Sequence, residues 1–75
     1  MNAERLAAMA NDIANFFAAE PDRKIAIEGV RNHLMRFWEP RMREQIIAYL
    51  RTNNGEGLNA LARAAVAALA NGRQR

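Results

Sequence analysis

A chain of 75 residues with a net charge of +3 and a hydrophobic share of 51% makes one small domain. A chain of this size buries roughly 60% of the surface its unfolded form exposes, enough for a thin core but not for a core plus a deep ligand pocket. Cys and Ser are both absent, which excludes disulfides, thiolate metal sites, cysteine-held iron–sulfur clusters and the commonest nucleophiles.

The first predicted element is a helix from Ala3 to about Ala18. Leu6, Met9, Ala10, Ile13, Phe16 and Phe17 fall on one helical stripe, with Glu4, Ala8, Asn11 and Asn15 opposite. Asn2 is a candidate N-cap, and Glu4 suits the positive end of the helix dipole. Pro21 stops the helix, because the residue before a proline is pushed out of the α region. Asp22 then caps a second helix, whose stripe is Ile27, Val30, Leu34, Phe37 and Trp38, with Ile25 at its margin. Gly29 lies inside this helix at a cost of about 1 kcal/mol relative to Ala, which suggests that another backbone passes close by.

Glu39–Pro40 is the second break, with Pro40 suited to the first turn of a third helix running to about Arg51. Its apolar positions are Met42, Ile46, Ile47, Tyr49 and Leu50. Thr52 to Leu58 is the one clear loop, rich in helix-stopping residues. Asn59 caps a last helix from Ala60 to Ala70, Gly72 ends it, and residues 73–75 are expected to be a disordered tail beyond a single helical domain of residues 1–72. This helix reads ALARAAVAALA, apolar nearly all round. Either its alanines simply tolerate exposure, or it packs between this domain and a partner. The expected fold is all-α: four short helices in helix–turn–helix pairs, with Leu6, Ile13, Phe17, Ile27, Val30, Leu34, Ile46, Leu50, Leu61 and Leu69 as its core.

Residues that could carry chemistry are few. His33 is the one histidine and has no sequence partner that would mark a metal site or a triad, so it reads as a half-buried structural or interface residue. Glu4 and Asp12 could share one side of the first helix, but solvated acids explain them equally well. Gly55-Glu56-Gly57 lacks the Lys and Ser or Thr of a phosphate loop. No catalytic, cofactor-binding or metal-binding residue is assigned. The positive charge alone would suit nucleic acid, but ten of the eleven basic residues are Arg, interleaved with eight acids. Arg is favoured where a planar fork must meet a carboxylate in fixed geometry.

The most informative stretch is His33 to Arg43, HLMRFWEPRMR. It concentrates the single Trp, a Pro and three Arg, and Trp and Arg are the residues most enriched in binding hot spots. A proline at such a corner holds its neighbours partly preorganised. Arg36, Trp38, Pro40, Arg41, Met42 and Arg43 are therefore the candidate partner-binding residues. Phe37 and Trp38 both continue the stripe of the second helix and either seal the domain's own core or face a partner; of the two, Phe37 leans to the core and Trp38 to the partner.

This segment resembles the signature of the small delta subunit of the soluble, molybdenum-containing, NAD-dependent formate dehydrogenases of bacteria. The pattern LAAMANDIANFF, the PDR after it, the RFWEPRMR corner and the GEGL loop follow that family in order and span nearly the whole chain. The family more often carries Asp where Glu39 stands, a conservative departure that bears only on the capping of the third helix. The resemblance implies an accessory subunit, not itself an enzyme and without cofactor of its own, supporting assembly, stability or cofactor loading of a complex that oxidises formate to carbon dioxide and reduces NAD. Its implied partners are a catalytic subunit carrying a bis-molybdopterin guanine dinucleotide (bis-MGD) molybdenum cofactor and iron–sulfur clusters, a flavin (FMN) subunit and a further iron–sulfur subunit. The alternative is a small helical module that binds nucleic acid or self-assembles. No run of residues is long and apolar enough to span a membrane, and no secretory signal pattern opens the chain, so a cytoplasmic location is expected.

Overall fold

Cap chemistry sets where each helix begins. In the computed structural model, which describes residues 2–73, the Asn2 side chain accepts from the Arg5 amide at 2.7 Å and starts α1, Ala3–Phe17. Asp22 accepts from the Lys24 and Ile25 amides and starts α2, Arg23–Phe37. Glu39 precedes α3, Pro40–Asn53, and makes no side-chain cap; Pro40 sits at the first helical positions and has no amide hydrogen to satisfy. Asn59 accepts from the Ala62 amide at 2.8 Å and starts α4, Ala60–Arg73. No strand occurs among the described residues. The last helix passes through Gly72 to Arg73, beyond the expected stop; Gln74 and Arg75, the rest of the expected tail, lie outside the described residues.

The packing explains the odd composition of α4. It lies against α1, α2 and α3 alike, and none of its residues from Leu61 to Ala70 is exposed. Leu61, Ala62, Ala65, Val66, Leu69 and Ala70 are buried. Its all-round apolar character is thus absorbed within this chain, and no external partner is needed to account for it. The buried positions of α1 are Leu6, Ala7, Ala10 and Ala14, so small side chains let the neighbouring helices approach closely. Of the expected core, Leu6, Val30, Leu34, Ile46, Leu61 and Leu69 are buried, and Ile13, Phe17, Ile27 and Leu50 pack against the cluster from its edge. Ile47, Val66, Leu58 and Trp38 complete it.

The nearest neighbour of Gly29 is a side chain of α1. A Cβ there would stand 2.6 Å from the Phe17 ring, so the glycine lets α1 and α2 close around that aromatic.

The α3–α4 loop is held from three sides. Asn54, Gly55 and Gly57 all take positive φ, which glycine adopts freely and asparagine more readily than most residues. Arg63 donates to the carbonyls of Asn54 and Gly55, and the Tyr49 hydroxyl donates to the Glu56 carbonyl at 2.6 Å. From α1, Asn11 donates to the Gly57 carbonyl at 2.7 Å and accepts from the Asn59 amide at 2.8 Å, while Asn59 donates to Asn15. The polar face of α1 is therefore a clamp on this loop and not merely a solvated surface.

Two substitutions test this packing. Gly29→Ala should lower stability by about 1–2 kcal/mol in urea unfolding, because overpacking against Phe17 outweighs the roughly 1 kcal/mol gained in helix propensity; a stabilised variant would contradict the close approach. Asn11→Ala removes two loop hydrogen bonds at once and should cost about 1–2 kcal/mol by the same measurement, where a simple surface asparagine would cost almost nothing.

Candidate partner-binding surface

The α2–α3 corner is where the sequence placed its partner-binding residues, and the structure divides them. Trp38 leaves the end of α2 in extended conformation (φ −89°, ψ 138°), with its amide donating to the Leu34 carbonyl at 3.1 Å. From there its ring enters the core and is only 6% exposed. Phe37, one residue earlier, is 70% exposed. The expected roles of the two aromatics are thus exchanged. Helical spacing continues Phe37 onto the buried stripe, but the helix ends there and the turn carries Trp38 inward in its place.

Arg43 is also internal to the corner. It is half-buried, and its Nη1 donates to the Trp38 carbonyl and to the Met35 carbonyl at 3.3 Å. The last carbonyls of a helix have no partner within it. Arg43 supplies one from the first turn of the next helix. Met42 packs against the core, and Pro40 is exposed at the rim of a cleft. Arg36 and Arg41 are exposed and make no hydrogen bond or ion pair with any described residue. Of the six candidates, only Arg36, Pro40 and Arg41 point outward.

The cleft arises because α2 and α3 diverge from the corner and scarcely touch, while α4 closes its floor. Arg31, Met35, Pro40, Arg43, Ile47 and Leu69 line it.

A larger apolar surface lies on the other side of α2, where it meets α1. Asp12, Ile13, Phe16, Phe17 and His33 form a shallow groove there. Phe16 is 78% exposed, the most of any large apolar residue described, and its ring meets Phe17 edge-on with centroids 5.2 Å apart. His33 is half-buried and lies 4.7 Å from the Phe37 ring, tilted by 43°. Phe16 departs from the apolar stripe that the sequence predicts for α1. At about 100° per residue it lies roughly 135° around α1 from the midline of Leu6, Ala7, Ala10 and Ala14. A stripe centred on those alanines would have placed it outside.

Among the described residues, no three His, Asp or Glu side chains come together as metal ligands. No helix of the described residues is long and apolar enough to cross a membrane. What the surface offers is exposed aromatic area between α1 and α2, and at the α2–α3 corner two exposed guanidinium groups not engaged by any described residue, a composition enriched at protein interfaces.

The division of the arginines gives a direct test. Arg43→Ala should lower stability by about 1.5–3 kcal/mol, the usual worth of a hydrogen bond to a charged group. Arg36→Ala and Arg41→Ala should leave the thermal melt unchanged. Equal melting of all three variants would show that Arg43 is a solvated residue like the other two.

A family model described as NADH-dependent formate dehydrogenase delta subunit, FdsD, matches residues 5–66. The match takes in α1, α2, the corner, α3 and the loop, and runs into α4. No curated protein and no solved structure matches the chain.

Proposed function

The chain belongs to the formate dehydrogenase delta-subunit family, and we propose that it acts there as a non-catalytic accessory subunit of an NAD-dependent molybdenum enzyme. In this reading it binds the catalytic subunit that carries the bis-MGD molybdenum cofactor, within a cytoplasmic complex that also holds iron–sulfur and FMN subunits. Its work is to support assembly, stability or cofactor loading of that subunit.

The observation that carries this reading is the α1–α2 face. Burying a Phe side chain is worth about 1.5–3 kcal/mol, and a 75-residue domain of marginal stability leaves two of its three Phe largely in water. A protein that works alone gains nothing from that arrangement, whereas a subunit recovers the energy on docking. The internal use of Arg43 and Arg63 on backbone carbonyls also removes two positive charges from any phosphate-binding surface, which weighs against nucleic acid as the partner.

Omission of this chain from a strain that expresses the other subunits tests the role. The expected result is a complex with lower yield, less molybdenum per catalytic subunit or faster loss of activity on warming, each restored when the chain is supplied again. A complex that is equally loaded, equally stable and equally active without it would overturn the accessory role.

A further inference from the structure

The chain holds two Asn–Gly pairs, Asn54–Gly55 and Asn71–Gly72. Asparagine before glycine is prone to lose its side-chain amide, because the glycine has no side chain to shield its backbone nitrogen from the carboxamide. The structure separates the two pairs. Asn71 lies within α4, whose hydrogen-bonded backbone fixes it, and the Arg31 guanidinium lies over Gly72, 2.7 Å from where a Cβ would stand. Asn54 is exposed beyond the end of α3, in left-handed conformation at φ 57° and ψ 24°. The shape of the loop calls for this labile pair. Asparagine is one of the few residues that enter the left-handed region readily. Gly55 follows at φ 68°, and a Cβ there would stand 2.8 Å from Leu50 Cδ1.

We propose that Asn54 is a site of spontaneous deamidation and that Arg63 is the gate that slows it. In this reaction the Gly55 backbone nitrogen attacks the Asn54 side-chain carbonyl carbon and gives up its proton. The carbon–nitrogen bond of the side-chain amide breaks, ammonia leaves, and a five-membered succinimide remains. Water then opens the ring at one carbonyl to give Asp, or at the other to give isoaspartate, with no oxidant or reductant consumed. Ring closure requires the Gly55 nitrogen to stand over Cβ when viewed along the Cα–C bond of Asn54. At ψ 24° it stands nearly over the Asn54 nitrogen instead, and so faces away from the carboxamide. Reaction needs rotation about that bond, and the rotation swings the Asn54 carbonyl with it. That carbonyl accepts from Arg63 Nη1, and the Gly55 carbonyl accepts from Nη2 at 3.2 Å. The folded loop therefore reacts only when the Arg63 fork releases it. Tyr49 and Asn11 hold carbonyls farther along, at Glu56 and Gly57, and do not resist this rotation directly. The isoaspartate product routes the backbone through Cβ and lengthens it by one carbon, in the loop whose shape decides where α4 begins. The inference concerns this chain alone and does not depend on the accessory role.

Ageing of the purified full-length chain in warm, mildly alkaline buffer tests the gate. Peptide mass spectrometry places each new acid, and chromatographic retention separates Asp from isoaspartate. A urea-unfolded sample sets the rate of both Asn–Gly pairs without structure. Asn54 of the folded wild-type chain should convert more slowly than in urea. Arg63→Ala should speed conversion at Asn54 about tenfold or more, the factor that corresponds to a lost hydrogen bond to a charged group. It should leave Asn71 at its wild-type rate. Arg63→Lys keeps the charge without the fork, serves if the alanine variant fails to fold, and should also speed Asn54 alone. Tyr49→Phe loosens the same loop without touching the Asn54 carbonyl, and should give a much smaller increase. A wild-type Asn54 that converts as fast folded as unfolded would overturn the proposal, since nothing would gate it. An Asn54 rate unchanged by either Arg63 variant would overturn it as well. Equal acceleration of Asn54 and Asn71 in both Arg63 variants would mean global unfolding, and equal acceleration by Tyr49→Phe a general loosening of the loop. Either result would remove the role assigned to Arg63.

Discussion

The contact between Arg43 and the end of α2 is the constraint on which the rest of the corner depends. A helix that stops at Phe37 leaves its last carbonyls without intrahelical partners. One guanidinium from the next helix reaches back to the Met35 and Trp38 carbonyls. This single side chain therefore ties the start of α3 to the end of α2 across a two-residue turn. Pro40 makes the turn sharp, and Arg43 fixes its direction. Given that direction, Trp38 falls into the core, Phe37 stays outside beside His33, and α2 and α3 splay apart to leave the cleft that α4 floors. The exposed aromatic surface is a consequence of how the chain turns as much as of which residues it contains.

A second set of contacts holds the opposite connection. The α3–α4 loop has no apolar mass of its own apart from Leu58, which is buried. Asn11 and Asn15 from α1, Tyr49 from α3 and Arg63 from α4 give it a fixed shape instead. These polar contacts decide where α4 begins and so let it run through the middle of the domain against all three other helices. A chain with sixteen alanines and few large apolar residues is stabilised by close approach of small side chains, and close approach requires helices placed accurately at both ends. The corner and the loop provide that placement.

The parts legible in the sequence were those whose physics is local. Asn2, Asp22 and Asn59 cap helices because a short side-chain acceptor satisfies amides two or three residues ahead, and Pro40 starts one because it has no amide to satisfy. Leu6, Val30, Leu34, Ile46, Leu61 and Leu69 were legible as core because helical spacing repeats. The errors lie where a residue's fate is set by a distant element. Phe37 and Trp38 differ by one position, and only the termination of α2 and the hold of Arg43 decide which of them is buried. Phe16 falls on the stripe only when large side chains define it; the alanines that form the true midline of α1 put it outside. The sequence places Asn11 and Asn15 opposite the apolar stripe but gives no sign of their partners, Gly57 and Asn59, which lie more than forty residues away. The apolar circumference of α4 left two readings open, and only its central position resolves them. The sequence singled out the α2–α3 corner but not the exposed aromatic surface between α1 and α2, although a helical wheel centred on Ala10 and Ala14 places Phe16 outside.

Trp38 is the chain's one tryptophan, so its fluorescence reports the corner without ambiguity. The most direct measurement is the emission spectrum and acrylamide quenching of the isolated chain, compared with the same chain carrying Arg43→Ala. If the Arg43 contact holds the corner as described, the isolated wild-type chain emits at short wavelength and resists quenching without any partner, and the variant shifts to longer wavelength and becomes accessible. A wild-type tryptophan that is quenched as freely as one in an unfolded peptide, and is protected only when other subunits are added, would contradict the account and return Trp38 to the partner-facing surface.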